Sequence, residues 1–231
     1  MSETLQEIGK KHGTDKHNDV HSYGGETYLN IYHRYMNELR DKPLKVLEIG
    51  VKDGNSHRMW REYFPKATIY GIDIDPRCKQ YESDRIRVFI GSQSDPSTID
   101  AAVKHAGGQF DIILDDGSHV NELTLKSFHL LFPALRAGGL YIIEDLGCSY
   151  LGEKLIRHIR EGGWPGMQYN QGVSFNNDRS VMDKFFNSLI HDIDQVIQHL
   201  EWDPVPGGKS GVEWVHFYSQ IAVIKKLGVS Q

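Results

Sequence analysis

Four carboxylates stand at the ends of two short apolar runs. Asp115-Asp116 follows Phe110-Asp111-Ile112-Ile113-Leu114, and Glu144-Asp145 follows Leu140-Tyr141-Ile142-Ile143. Each run is short, β-branched and bounded by turn residues, the pattern of a strand buried on both faces of a parallel sheet. In an open α/β sheet the ligand crevice lies beyond the carboxyl ends of the strands, where these four side chains fall. Neighbouring strands bring the two pairs together, and like charges that close resist ionisation unless a cation or a shared proton sits among them. An all-oxygen set favours Mg²⁺, Mn²⁺ or Ca²⁺ over zinc.

A glycine turn adds a second chemical feature. Glu48-Ile49-Gly50-Val51-Lys52-Asp53-Gly54 follows one predicted strand and precedes a predicted helix, where a turn without side chains lets a ligand approach the backbone. Its spacing is not G-x-G-x-x-G. The acidic Glu48 and Asp53 disfavour a pyrophosphate, and a cofactor carrying positive charge fits better. Asp73, ending the next strand, is placed to accept hydrogen bonds from ribose hydroxyls. Gly50 and Gly54 also suit a plain tight turn and Asp73 a helix cap; their place at the crevice favours a cofactor.

The elements that must position these groups alternate. Apolar runs predict strands at Lys45–Ile49, Thr68–Ile72, Arg87–Ile90, Asp111–Leu114 and Leu140–Ile143. Between them come helices at Ser56–Phe64, Ser97–Lys104 and Glu122–Leu135, the last closed by Gly138-Gly139. Alternation of this kind implies right-handed crossovers and a mostly parallel, doubly wound sheet covered on both faces. Ahead of it lie an amphipathic Leu5–Lys11, a polar stretch from His12 to Gly25 suited to a lid, and a helix at about Glu26–Leu39 whose Tyr28, Tyr32 and Tyr35 read as packing. Behind it come a helix near Glu153–Arg160, a turn-rich Glu161–Asn177, a long helix at Val181–Leu200, and Trp214–Tyr218 with Ile221–Ile224 as an antiparallel hairpin on the sheet edge. The expected whole is a Rossmann-like, seven-stranded α/β domain spanning residues 1–231. Its parts are an N-terminal helical and lid segment (1–42), a core (43–150), and C-terminal helices with the hairpin (151–231).

The 231 residues, 39% hydrophobic and 25% charged, suit one soluble globular domain. A net charge of −5 without a basic run disfavours nucleic acid and anionic membranes as partners. The start lacks a signal-peptide layout and no apolar run reaches membrane-spanning length, so a cytoplasmic protein is expected. Cys78 and Cys148 read as two free thiols.

The glycine turn Glu48 to Gly54, the ending Gly71-Ile72-Asp73 and the ending Asp115-Asp116 resemble the class I S-adenosylmethionine-dependent methyltransferases. More narrowly, several motifs together resemble the metal-dependent O-methyltransferases that act on sugars of macrolides and other glycosylated natural products. These are Gly13-Thr14-Asp15-Lys16, His21-Ser22-Tyr23, Leu47-Glu48-Ile49-Gly50-Val51, Gln93-Ser94-Asp95, Asp115-Asp116-Gly117-Ser118-His119 and Ile143-Glu144-Asp145-Leu146, with a weaker echo in His216-Phe217-Tyr218. The resemblance runs from about Ile8 to Tyr150. It implies that Asp116, Glu144 and Asp145 ligate Mg²⁺ or Mn²⁺ and that His119 is the general base. It also implies that Glu48, Gly50, Asp73, Gln93, Asp115 and Tyr23 line the pocket for S-adenosyl-L-methionine.

On that reading a divalent ion would acidify a sugar hydroxyl, and three carboxylates leave room on it for two vicinal hydroxyls. Imidazole, with an ordinary pKa of about 6.5, suits removal of the hydroxyl proton near neutral pH. Asp115 also suits a turn cap, and His119 a backbone contact beside the helix at Glu122. A dimer is expected, the partner helping to cover the pocket. Three rivals stand beside this reading. A cephalosporin hydroxylase-type or catechol-type enzyme shares the acidic strand ends but takes a non-sugar diol. An NAD-dependent oxidoreductase needs a better glycine fingerprint and a Tyr-x-x-x-Lys pair, absent after the fourth and fifth strands. A binding module without catalysis has no use for a base beside a complete carboxylate set.

Overall fold

A computed structural model describes residues 3–17, 26–151, 154, 157, 161, 177–194 and 211–228. Its elements in chain order are α1 (Leu5–His12), α2 (Tyr28–Met36), β1 (Lys45–Ile49), α3 (Asn55–Tyr63), β2 (Thr68–Asp73), β3 (Ile86–Ile90), α4 (Pro96–His105), β4 (Phe110–Asp115), α5 (Asn121–Leu131), β5 (Leu135–Ile143), α6 (Arg179–Asp194), β6 (Val212–Tyr218) and β7 (Ile221–Lys226). The seven strands form one sheet in the order β3-β2-β1-β4-β5-β7-β6. Pairing is parallel from β3 through β5 and antiparallel at β5-β7 and β7-β6. The expected doubly wound, mostly parallel sheet with a terminal hairpin is the observed fold. The order reverses between β1 and β4, which opens the ligand crevice at their carboxyl ends.

Alternation along the strands divides the core into two layers. Val46, Ile69, Ile112, Leu114 and Ile142 face α1, α2 and α3, where Leu29, Tyr32, Trp60 and Phe64 complete one apolar cluster. Leu47, Ile49, Ile113 and Tyr141 face the opposite way, against Ile99 of α4, Phe128 of α5 and Phe185 of α6. Successive strand residues point to opposite faces, so Glu48 shares the face of Val46 and lies beneath α3.

Local signals set the ends of the helices. Thr4 and Glu7 form a reciprocal capping box on α1, which Gly13 ends in the left-handed conformation at φ 69°. Asp95 caps α4, with Pro96 in its first turn. Two boundaries differ from expectation. α5 ends at Leu131, since Pro133 cannot continue a helix, and β5 begins at Leu135. Gly138-Gly139 therefore lies inside β5, where the pairing with β4 slips from Phe110↔Leu135 to Ile112↔Leu140. The predicted helix near Glu153–Arg160, the loop Glu161–Asn177 and the end of the long helix beyond residue 194 fall mostly outside the described residues.

Gly50 is the tightest point of the crevice. Its φ is +92°, and a Cβ there would collide with the backbone oxygen of Asp116. Gly50→Ala is therefore expected to destabilise the fold by about 1 kcal/mol or more, read as a lower urea midpoint at unchanged slope. An unchanged midpoint would mean that β1 and β4 do not meet this closely.

Candidate active site

Backbone pairing levels the strand ends. Ile49 lies opposite Asp115, and Asp115 opposite Ile143. The ladder runs one step past the strands, with Asp116 N–H donating to Ile49 O at 3.1 Å and Glu144 N–H to Asp115 O at 3.0 Å. The two acidic pairs are thus neighbours, as the sequence predicts, but each pair splits between two environments.

Asp116 and Glu144 point inward to a cation that the chain itself supplies. Lys16 Nζ lies 2.5 Å from Asp116 Oδ2, 2.6 Å from Glu144 Oε2 and 3.5 Å from Glu48 Oε1. Lys16 is 2% exposed, Glu48 0% and Glu144 3%, while the Asp116 side chain keeps 25% of its surface at the opening. Burial works against the ammonium charge, yet Asp116, Glu144 and Glu48 outweigh it and hold the Lys16 pKa well above the ordinary value. Burial and the neighbouring Asp116 push Glu144 up; burial also raises Glu48, against the pull of Lys16. Glu48 accepts a 2.6 Å hydrogen bond from Ser56 and lies 3.2 Å from His57 Nδ1. Its carboxylate is therefore enclosed beneath α3 in support of Lys16. The positive charge that the acidic turn calls for is a lysine of this chain.

Asp145 turns the other way. Its backbone is left-handed at φ 54°, as is that of His119 at φ 55°, and non-glycine residues in that region mark positions held by their surroundings. His119 Nε2 lies 3.4 Å from Asp145 Oδ2 and 3.9 Å from Asp116 Oδ1. Tyr28 of α2, a packing residue by its spacing, is buried but donates its hydroxyl to Asp145 Oδ1 at 2.7 Å. Burial, reinforced by Asp145, raises the Tyr28 pKa and keeps it a donor.

Donor atoms able to hold a metal fall into two groups among the described residues: Asp116, His119 and Asp145 at the opening, and Glu48, Asp116 and Glu144 within. The expected trio of Asp116, Glu144 and Asp145 is divided between them, with Asp116 common to both. The two carboxylates of the outer group suit a hard divalent ion, with the His119 imidazole beside them. Glu144 Oε1 is buried with no hydrogen-bond partner, an orphan that a nearby cation would satisfy.

Asp115 leaves for the opposite face of the sheet. At 2% exposure it accepts from the Ser127 hydroxyl at 2.5 Å and from Gln93 Nε2 at 3.2 Å. Gln93 also donates to Ser127 Oγ and accepts from Ser118 N–H at 2.8 Å. Both ends of its amide thus brace the loop that carries His119. Asp73 accepts from Val51 N–H at 2.8 Å, Lys52 N–H at 2.9 Å and Asp75 N–H at 2.8 Å, fastening the glycine turn. Glu48, Gln93, Asp115 and Asp73 are each committed to partners within the protein, Asp73 with Gly50 lying at the crevice. Tyr23 and His21 lie outside the described residues.

Residues 47–146 match the family model described as a methyltransferase domain. The central part of the chain thus carries the sequence of a methyltransferase domain. Among individual proteins it is 33% identical, over 96% of its length, to demethylmacrocin O-methyltransferase of Streptomyces fradiae. It is 30% identical, again over 96%, to 8-demethyl-8-alpha-L-rhamnosyl tetracenomycin-C 2'-O-methyltransferase of Streptomyces olivaceus. Those alignments take in 53% and 54% of the relatives, so the chain spans about half the length of the curated proteins it matches. MycE methyltransferase from the mycinamycin biosynthetic pathway, solved in complex with Mg, SAH and mycinamycin VI, superposes with a TM-score of 0.72 at 31% identity. The match covers 98% of this chain and 54% of that one. An oxidoreductase reading has no support in these likenesses.

Sequence reasoning passed over Lys16 except as part of Gly13-Thr14-Asp15-Lys16, because a lysine in a polar loop carries no sign of burial. It also passed over Ser127 and the hydroxyl of Tyr28. Burial raises the Asp115 pKa from 3.8 to about 6. The folded state then holds the proton that the unfolded state has lost, so Asp115 lowers stability progressively as pH rises from about 4 to 6. Relative to Asp115→Asn, the wild type should lose about 2 kcal/mol across that window in urea melts. Parallel pH profiles would contradict the buried position of Asp115.

Proposed function

We propose that this protein is an S-adenosylmethionine-dependent, divalent-cation-dependent O-methyltransferase acting on a hydroxyl of a vicinal diol in a sugar, on a glycosylated natural product or saccharide. The observation that carries this reading is the group Asp116, His119 and Asp145 at the ends of β4 and β5, beside the Gly50 turn. The likeness to enzymes named for O-methylation, one of them on a rhamnosyl compound, supports the substrate class.

Asp116 and Asp145 would hold Mg²⁺ or Mn²⁺, with Glu144 completing the carboxylate set from the inner side through its orphaned Oε1. A bound divalent ion lowers the pKa of a coordinated hydroxyl toward neutrality. His119, at the same opening, takes the hydroxyl proton through Nε2. Tyr28 fixes Asp145, and the Gln93–Ser118 bond fixes the loop bearing His119, so neither group must be ordered when substrate arrives. Gly50, whose lack of a side chain lets the turn close on the Asp116 carbonyl, and Asp73 lie at the sheet end where S-adenosylmethionine would bind, Asp73 at the level of its ribose. The sulfonium methyl is already activated, which leaves the protein the task of aligning oxygen, carbon and sulfur.

No helix among the described residues is long and apolar enough to cross a membrane. With the net charge of −5, this supports a cytoplasmic enzyme with a small-molecule or saccharide partner and no nucleic acid partner.

Asp116→Asn and Asp145→Asn should each lower turnover at least a hundredfold while changing S-adenosylmethionine affinity by no more than a few-fold. His119→Ala should lower kcat by about 10²–10⁴. Calorimetric binding and methyl transfer to a panel of vicinal-diol glycosides, with and without Mg²⁺, provide the check. Turnover unaffected by chelator, or retained in Asp116→Asn, would overturn the proposal.

A further inference from the structure

The Lys16 ammonium touches one oxygen of each carboxylate it neutralises. It takes Oδ2 of Asp116 and Oε2 of Glu144, while Asp116 Oδ1 faces His119 and Glu144 Oε1 is buried without a hydrogen-bond partner. The ammonium donates to Asp116 Oδ2 and Glu144 Oε2, and Glu48 Oε1 adds a third, longer ion pair at 3.5 Å. The lysine is also held from behind. It lies in the 3₁₀ turn Asp15–His17 that follows the Gly13 cap of α1. Asn55 of α3 donates to Gly13 O at 3.1 Å, and Gln6 donates to His17 O at 2.9 Å. The turn is thus tied to α1 and α3 as well as to the carboxylates.

We propose that Lys16 is a tethered counter-ion that divides the acidic cluster in two. It holds one oxygen each of Asp116 and Glu144 from within, leaves the other oxygen of Asp116 facing His119 at the opening, and stays in place when a divalent ion binds there. Lys16 is thus a positioning residue acting through the carboxylates. This rests on the reading that the outer group takes a divalent cation. Without the ammonium, the buried Glu48 and Glu144 and the half-buried Asp116 leave a cluster of negative charge that must protonate or admit a second cation.

The test uses the metal-stripped full chain as wild type, Lys16→Met and Lys16→Arg, titrated with Mn²⁺ and followed by the spin resonance of the free ion. Hydrogen exchange of residues 13–17 and the thermal midpoint are recorded with and without Mn²⁺. The wild type should bind Mn²⁺ with residues 13–17 as protected as before or more so. Lys16→Met, without metal, should lose that protection and melt at lower temperature. Mn²⁺ should restore its midpoint while stoichiometry rises from about one ion to about two. Lys16→Arg, keeping the charge, should keep a stoichiometry of about one.

Loss of protection at residues 13–17 when the wild type takes up Mn²⁺ would show that the ion displaces Lys16 and would overturn the proposal. So would a Lys16→Met protein indistinguishable from wild type. Should Lys16→Met not fold, the wild-type exchange result still decides. A chain that binds Mn²⁺ but not S-adenosylmethionine would sink the methyltransferase reading and leave the role of Lys16 standing. Binding of S-adenosylmethionine with no uptake of Mn²⁺ would overturn the role of Lys16 and the cation dependence while leaving the cofactor reading standing.

Discussion

Three carboxylates side by side, two of them buried, resist ionisation together without a cation among them, and the described structure is organised around the ammonium that meets them. Glu48, Asp116 and Glu144 come from the ends of three different strands, and Lys16 comes from a turn far earlier in the chain. Taking several charges out of water is costly, and only close pairing with further hydrogen bonds offsets it. Here the pairing ties the N-terminal helix to the crevice of the sheet. The α1–α3 contact, the Gly13 cap and the enclosure of Glu48 by Ser56 and His57 all serve to keep that ammonium in place.

The opening of the crevice is built on the opposite principle. Asp145 and His119 stand in left-handed backbone conformations that bring their side chains together at an accessible place, and the surroundings hold them there. Tyr28 anchors one and the Gln93–Asp115–Ser127 cluster steadies the loop of the other. Asp116 joins the two halves, with one oxygen on Lys16 and the other toward His119. A lysine-bridged floor under the more exposed rim of Asp116, His119 and Asp145 suits a site that must receive a cation and a substrate without rearranging.

Much of this was legible from the residues. The strands, their order of appearance and the convergence of Asp115-Asp116 with Glu144-Asp145 follow from apolar runs that end in turns, signals that depend on local pattern alone. The end of α5 was misplaced because Gly138-Gly139 resembles a helix stop, while Pro133 acts first. The direction of each carboxylate was harder to read. Whether Asp115 and Asp116 share an environment depends on strand alternation continued past the strand end, and on Ser127 and Gln93 waiting on one face and Lys16 on the other. Glu48 adjoins the glycine turn in sequence, yet alternation sends it under α3. Contacts between residues a hundred positions apart leave no trace in local spacing.

The most direct test is diffraction from crystals grown with Mn²⁺ and S-adenosylhomocysteine, collected at a wavelength where manganese scatters anomalously. A single anomalous peak is expected among Asp116 Oδ1, Asp145 and Glu144 Oε1 beside His119, with Lys16 still seated on Asp116 Oδ2 and Glu144 Oε2 and the cofactor lying over Gly50. A peak in the place of the Lys16 ammonium, or none at the strand ends while the cofactor is bound, would contradict the account.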